Sequence, residues 1–310
     1  MKLRLLFLVA LLALPLRGED ALQTVVDDAW QGATGYHFSG RLTEVHKAPT
    51  KENGAMTSIY RNTRLLLTSG ERGIVSWRVP GHEWTLRVGD KGYWALAASQ
   101  PLALKPGWYD IETEPTASSQ AGLLMVDLHN AVGLISDIDD TILVSDVLHK
   151  GTLLKNSLAT PAEQRKAVPG MAALYQRMLK ANATPDASAV FYVSSSPKQL
   201  TDNLRRFLQL NGFPHGVLQL KEIGSGSGDS MGEHEAYKIR RIETILAAFP
   251  QMKFCLFGDD GERDPEIYHA ILTKYPDRIA GVWIHHVNPD PKRPVYPKQN
   301  DVKVLLEEWK

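Results

Sequence analysis

The strongest constraint on the fold is a change of rhythm near residue 125. Downstream, short apolar runs alternate with helical patterns. AVGLIS, SAVFYVS, GVLQL, KFCLF and RIAGVWIHHV read as strands, and PGMAALYQRMLKA, PKQLTDNLRRFLQL, EAYKIRRIETILAAF, PEIYHAILTKY and DVKVLLEEW read as helices. Strands that are apolar throughout are buried on both faces, and helices between them imply a parallel sheet covered on both sides. Ligands bind such sheets at the carboxyl ends of the strands. Upstream the sequence is short, alternating and turn-rich. YHFSGRLTEV, TRLLLTS, IVSWRV, EWTLRV and GYWALAAS read as strands, with PGHE, VGDKG and KPGW as turns. No convincing amphipathic helix interrupts them after the opening DALQTVVDDAWQ. The reading is a small β-sandwich domain at 21–125, followed by an α/β domain at 126–310. Trp77, Trp84, Trp94 and Trp108 lie in or beside the upstream strands. Large aromatics dominate such cores, which favours packing over a ligand or membrane surface for them.

The first residues, MKLRLLFLVALLALPLRGED, place Lys2 and Arg4 ahead of an apolar stretch from Leu5 to Leu16. This reads as a secretory signal peptide at 1–18, too short to span a bilayer, which takes about 20 residues. Cys255 is the sole cysteine, so an intramolecular disulfide is excluded, and an exported chain of this kind fits a bacterial periplasm. Lysine plus arginine number 35, and aspartate plus glutamate also number 35. That balance gives no support for a nucleic-acid-binding surface.

Polar signals stand where the downstream strands end. Asp137, Asp139 and Asp140 follow AVGLIS within four positions. Burying unpaired carboxylates costs several kcal/mol or raises their pKa, so such a cluster calls for a cation or for chemistry. Ser194 to Pro197 follows AVFYV, and GDDGERD, from Gly258 to Asp264, follows KFCLF. Lys238 lies near the start of a helix, where its charge opposes the helix dipole and favours a partner anion. Each signal has a structural reading. Ser196 before Pro197 reads as a helix N-cap, leaving Ser194 free. Asp264 before Pro265 also fits an N-cap, and Lys238 fits a solvated helix face.

Taken in order, these motifs resemble the haloacid-dehalogenase superfamily of phosphatases. Asp137-Ile138-Asp139-Asp140-Thr141 matches its D-x-D-x-T motif, Ser194 its second motif, Lys238 its lysine, and Gly258, Asp259 and Asp264 its acidic fourth motif. DIDDTI, YVSSSP and GDDGERDPEIY narrow the likeness to the fungal actin-patch phosphatidate phosphatase family, its bacterial relatives and lipin-type domains. The resemblance covers about Gly133 to Val287. It implies a Rossmann-like parallel sheet with helices on both faces and an Mg2+-dependent phosphomonoester hydrolase. Asp137 would attack phosphorus to form an aspartyl-phosphate, and Asp139 would act as general acid and base. Ser194 and Lys238 would hold phosphoryl oxygens, with Thr141 orienting the loop. Asp137, the Asp139 carbonyl and Asp259 would bind Mg2+, supported by Asp260 or Asp264. No role follows for Asp140. The substrate implied is phosphatidate or another phosphomonoester, with peripheral membrane contact. A phosphatase of soluble phosphoesters or phosphoproteins, and a non-catalytic phospholipid-binding module, remain open. The segments Leu143 to Val168 and 223–236 are too short for a large folded lid, and four glycines in the second favour mobility.

Overall fold

The computed structural model describes residues 21–45, 70–145, 160–222 and 233–308. The proposed leader at 1–18, the TRLLLTS strand and much of both segments weighed as lids lie outside the described residues. The chain is mixed α/β. Among the described residues, its upstream part forms nine strands: β1 (Leu22–Val26), β2 (Ala29–Gly32), β3 (Gly35–Glu44), β4 (Gly73–Val79), β5 (His82–Val88), β6 (Tyr93–Ala98), β7 (Gly107–Asp110), β8 (Glu112–Glu114) and β9 (Gly122–Met125). One sheet runs β1-β3-β2-β9-β7, with β6 on the other edge of the long β3; a second runs β5-β4-β8. The two share one apolar core. Phe38 of β3 lies 5.8 Å from Trp77 of β4, which stacks on Trp94 of β6 at 4.7 Å. The expected strands match β3 to β6. The opening DALQTVVDDAWQ, set apart from the strand pattern, instead supplies β1 and β2. Its β-branched Thr24, Val25 and Val26 pair with β3.

Downstream lie β10 (Val132–Ser136), the short hairpin β11 (Leu143–Val144) and β12 (Lys166–Ala167), β13 (Val190–Pro197), β14 (Val217–Lys221), β15 (Lys253–Asp259), β16 (Ile279–His285) and β17 (Gln299–Asp301). The helices are α1 (Met171–Leu179), α2 (Thr201–Leu210), α3 (His234–Ala248), α4 (Asp264–Lys274) and α5 (Val302–Glu308). The main sheet has the order β14-β13-β10-β15-β16-β17, and every pair in it is parallel. Alternate residues face opposite sides, as the pleat requires. Leu134, Tyr192 and Phe257 pack with α1, α2 and α5, while Ile135, Phe191 and Leu256 pack with α3 and α4. The chain moves outward from β10 through β13 to β14, then crosses back to β15 and moves the other way. That reversal opens a crevice at the carboxyl end of β10.

The two parts are joined by packing and by buried charge. Trp30 of β2 meets Phe191 and Phe249 edge-on or tilted at 5.5 and 5.6 Å. Trp108 stacks on His215 at 3.5 Å. Lys198, at the end of β13, binds Asp27 at 2.8 Å and Glu222 at 2.9 Å. Arg205 of α2 is buried and donates to the Val26 carbonyl and to Asp28. Two of the four tryptophans, Trp77 and Trp94, are buried in the core, whereas Trp84 and Trp108 remain half-buried against it or its neighbour.

Candidate functional site

β10 delivers Asp137 to the crevice. Its last residue, Ser136, is buried; its hydroxyl donates to the Asp137 carbonyl at 2.5 Å and accepts a 2.8 Å hydrogen bond from the Tyr175 hydroxyl of α1. The Asp137 amide donates to the Phe257 carbonyl of β15 at 2.9 Å. β15 delivers Asp259, and α4 begins at Asp264 directly behind it. Asp137, Asp259 and Asp264 each present an oxygen within 4.8 Å of the others, and all three are buried. Lys238 of α3 reaches the same place, with Nζ 2.8 Å from Asp137 and 2.6 Å from Asp264. Glu262 approaches that ammonium at 3.6 Å.

Two of the structural readings of single residues are corrected here. Asp264 is the first residue of α4 rather than its cap; its carboxylate receives Lys238 and the Asp259 amide. Lys238 is 2% exposed, not a solvated face residue. Gly258 makes this approach feasible. A Cβ there would stand 2.6 Å from both Asp264 Oδ2 and the Tyr268 ring.

Asp139 lies beside the cluster with a separate set of partners. The Ser196 hydroxyl donates to Asp139 Oδ2 at 3.0 Å, and Ser194 lies at 3.4 Å from the same oxygen. Ser196 therefore does not cap a helix. β13 continues as strand through Pro197, and the following turn has no side-chain cap. Asp140 adopts φ 55°, in the left-handed region, and its carboxylate accepts from the Ser145 amide, which stabilises the turn after the cluster. The Thr141 hydroxyl is buried and has no partner among the described residues. Asp260 points away from the cluster. It accepts from the Val287 and Asn288 amides, both at 2.7 Å, and contacts His286 Nδ1 at 2.9 Å. Of the two acids left open as support, Asp264 is thus the one placed with Asp137 and Asp259.

Several participants escaped the sequence reading. Ser196 was hidden by its cap-like proline. Glu262 lay within the GDDGERD motif, three residues after Asp259. His285 Nδ1 lies 2.6 Å from the Asp140 carbonyl, so the consecutive histidines brace the two acidic loops. The pair at the end of an apolar strand was the signal for them.

Burial, above all, pushes the Asp137 carboxyl well above its usual range; Lys238 opposes this, and Asp264 and Asp259 add to it. Asp259 is pushed up by burial and by Asp264. Burial and the Glu262 charge raise Asp139, against the pull of the Ser196 hydrogen bond. Three carboxylates facing one ammonium leave negative charge in excess. Asp137 Oδ2 and Asp259 Oδ2 are buried without a hydrogen-bond partner among the described residues. Orphaned, hard oxygen donors close to a third carboxylate fit a divalent cation. A carboxyl group with a raised pKa next to that place can give up a proton.

Residues 132–286 match the family model described as the catalytic domain of phosphatidate phosphatase APP1. The chain is 34% identical over 154 residues to phosphatidate phosphatase APP1 of Saccharomyces cerevisiae, covering 49% of this chain and 25% of that protein. It is 27% identical over 162 residues to the uncharacterized protein C29B5.04c of Schizosaccharomyces pombe, covering 52% and 26%. The chain thus spans about a quarter of the length of these curated relatives. Among solved structures, a carbohydrate acetylesterase from Xanthomonas citri aligns over 88% of this chain and 71% of its own, at 12% identity and a TM-score of 0.29, too low to carry an argument.

Proposed function

The chain belongs to the family of the phosphatidate phosphatase APP1 catalytic domain, and on that premise we propose that it hydrolyses a phosphomonoester, phosphatidate in the first place, to the alcohol and phosphate. The observation that carries the reading is the buried group of Asp137, Asp259 and Asp264 around Lys238, with Asp139 alongside. We read the parallel sheet as the haloacid-dehalogenase type and the two upstream sheets, 21–125, as a small β-sandwich domain ahead of the catalytic domain at 126–310.

In the proposed reaction an Asp137 oxygen attacks phosphorus and the bond to the leaving oxygen breaks. Asp139, held by Ser196 and made more basic by burial, would give a proton to the leaving oxygen. Asp139 then takes a proton from water as the water attacks phosphorus, which frees Asp137 and phosphate. Lys238 holds Asp137 in place and offsets charge on the phosphoryl group. Ser194 would bind a phosphoryl oxygen. Asp137, Asp259 and Asp264, with the Asp139 carbonyl, would hold Mg2+. When bound, the ion neutralises the carboxylates and the developing phosphoryl charge. The wider reading includes export by the leader at 1–18 to a bacterial periplasm and peripheral contact with a phospholipid surface.

The test is phosphate release from phosphatidate in mixed micelles, compared with a nucleotide monophosphate and a sugar phosphate. Phosphatidate is expected to give the highest kcat/KM, with activity lost in EDTA and regained with Mg2+. If a soluble ester wins by about tenfold, roughly 1.4 kcal/mol in transition-state binding, the lipid reading fails and a soluble-substrate phosphatase replaces it. Full activity after exhaustive EDTA dialysis would remove the metal from the mechanism.

A further inference from the structure

Between β16 and β17 the chain makes a loop, 286–298, that carries Pro289, Pro291, Pro294 and Pro297. At its tip Val295 is 97% exposed, the most exposed large apolar residue among those described. A lone exposed valine is ordinary. This one stands in a particular setting. Lys292 and Lys298 flank it, both exposed and neither in an ion pair among the described residues; the one exposed acid of the loop is Asp290. Val287, on the ascending arm, is also exposed. Below the tip, a cavity of about 340 Å³ is lined in part by Pro265, Ile284, Pro289, Pro294 and Tyr296, so apolar surface continues inward from Val295.

The base of the loop is fixed to the candidate site. Asp260, next to Asp259, holds the Val287 and Asn288 amides. Arg293 donates to the Asp260 carbonyl at 2.5 Å and the Glu262 carbonyl at 2.7 Å, and pairs with Glu266 at 3.2 Å. Glu262 in turn approaches Lys238. On the descending arm, Gln299 donates to the Pro265 carbonyl, and Tyr296 lies against His269. Val295 is two residues from Arg293, at most about 7.6 Å along the chain. The loop and the site are therefore joined by direct hydrogen bonds.

We propose that loop 286–298 is the membrane-docking element of this protein, with Val295 entering the interface of an anionic bilayer and Lys292 and Lys298 meeting its headgroups. This rests on the phospholipid reading given above and assigns the surface that reading lacks. A small apolar wedge between cations is suited to an interface rich in negative headgroups, where apolar burial and charge attraction add. The proline-stiffened loop gives up little conformational freedom on docking. Its attachment to the 260–262 segment sets the site at a fixed height over the surface on which a lipid phosphate is displayed.

The experiment compares the full chain with Val295→Glu and with the double variant Lys292→Glu, Lys298→Glu. Sedimentation with phosphatidylcholine vesicles carrying phosphatidylglycerol reads docking without turnover. Hydrolysis of phosphatidate in vesicles, against dihexanoyl phosphatidate free in solution, reads its consequence. Both variants are expected to lose at least about tenfold in vesicle affinity and in vesicle turnover, while turnover of the soluble lipid stays at the parent level. Parent-like vesicle binding by Val295→Glu overturns the proposal, as does a parent chain that fails to sediment with vesicles. A dimer in solution that Val295→Glu dissolves would assign the loop to self-association and also overturn it. Loop-dependent vesicle binding without hydrolysis of either phosphatidate would uphold the docking surface and sink the catalytic reading instead.

Discussion

Lys238 lies between Asp137 and Asp264 with its ammonium shut away from water, so its removal strands carboxylates that, without metal, no other side chain among the described residues pairs with. Breaking one side of a buried ion pair costs about 3–5 kcal/mol. Lys238→Met is expected to destabilise the chain by an amount in that range, read by urea titration without added metal; an unchanged midpoint would mean that the site tolerates bare carboxylates. Asp137→Asn should act oppositely on stability, because it relieves repulsion among the acids. Turnover should nevertheless fall by on the order of 10⁴, as for other lost nucleophiles. Near-normal turnover would exclude Asp137 as the attacking group. Asp139→Asn should cost roughly 10² to 10⁴ in turnover, as for a lost general acid. The identities of these residues were legible in the sequence because acids at a strand end are costly without a use. What was not legible was the division of labour between Asp260 and Asp264. Both fit a run of acids, and only the direction of each side chain separates them.

The strand-and-helix rhythm downstream of residue 125 read through almost unchanged, since period and burial are both written in the local pattern. The failures occur where a local signature competes with a distant partner. Ser196-Pro197 has the form of a helix start, yet Asp139, 57 positions away, draws the serine hydroxyl into the site. Asp264-Pro265 has the same form, and Lys238 claims the carboxylate. DALQTVVDDAWQ is drawn into strands by the edge of β3. The loops that carry the acids are themselves held from β16, through His285 to Asp140 and through His286, Val287 and Asn288 to Asp260. Asp260→Ala removes the second of these braces without touching the clustered carboxylates. Lost outer partners of metal ligands cost roughly 10- to 100-fold in metal affinity. The Mg2+ concentration for half-maximal activity is expected to rise by that factor, and an unchanged titration curve would show the brace to be dispensable.

How the upstream sheets meet the parallel sheet could not be read from the sequence, because the joining pairs lie far apart; Asp27 and Lys198 are separated by 171 positions. Burial raises the Asp27 carboxyl, but Lys198, Ser39 and Arg205 together outweigh it and leave its pKa below the usual 3.8. A depressed carboxyl stabilises the fold above its unfolded pKa and loses that contribution as pH falls through the folded value. The stability gap between the parent chain and Asp27→Asn is therefore expected to be full at neutral pH and to shrink below about pH 4, by urea unfolding across pH. A gap that persists in strong acid would assign the effect to packing instead. Fractionation of a Gram-negative host is expected to find a shortened chain in the periplasm, and full-length protein in the cytosol would count against the proposed leader. The strand order has a further consequence, for biosynthesis. β10 receives β15 on one side only after about 120 more residues have been made. Until then a ribosome-bound chain presents VGLIS as an unpaired apolar edge, open to any other strand that passes. The same late arrival brings Asp259 and Asp264, so no fragment released early can hold the assembled carboxylates. A fragment released early would thus lack the proposed site, and the nascent chain is open to aggregation until that strand inserts.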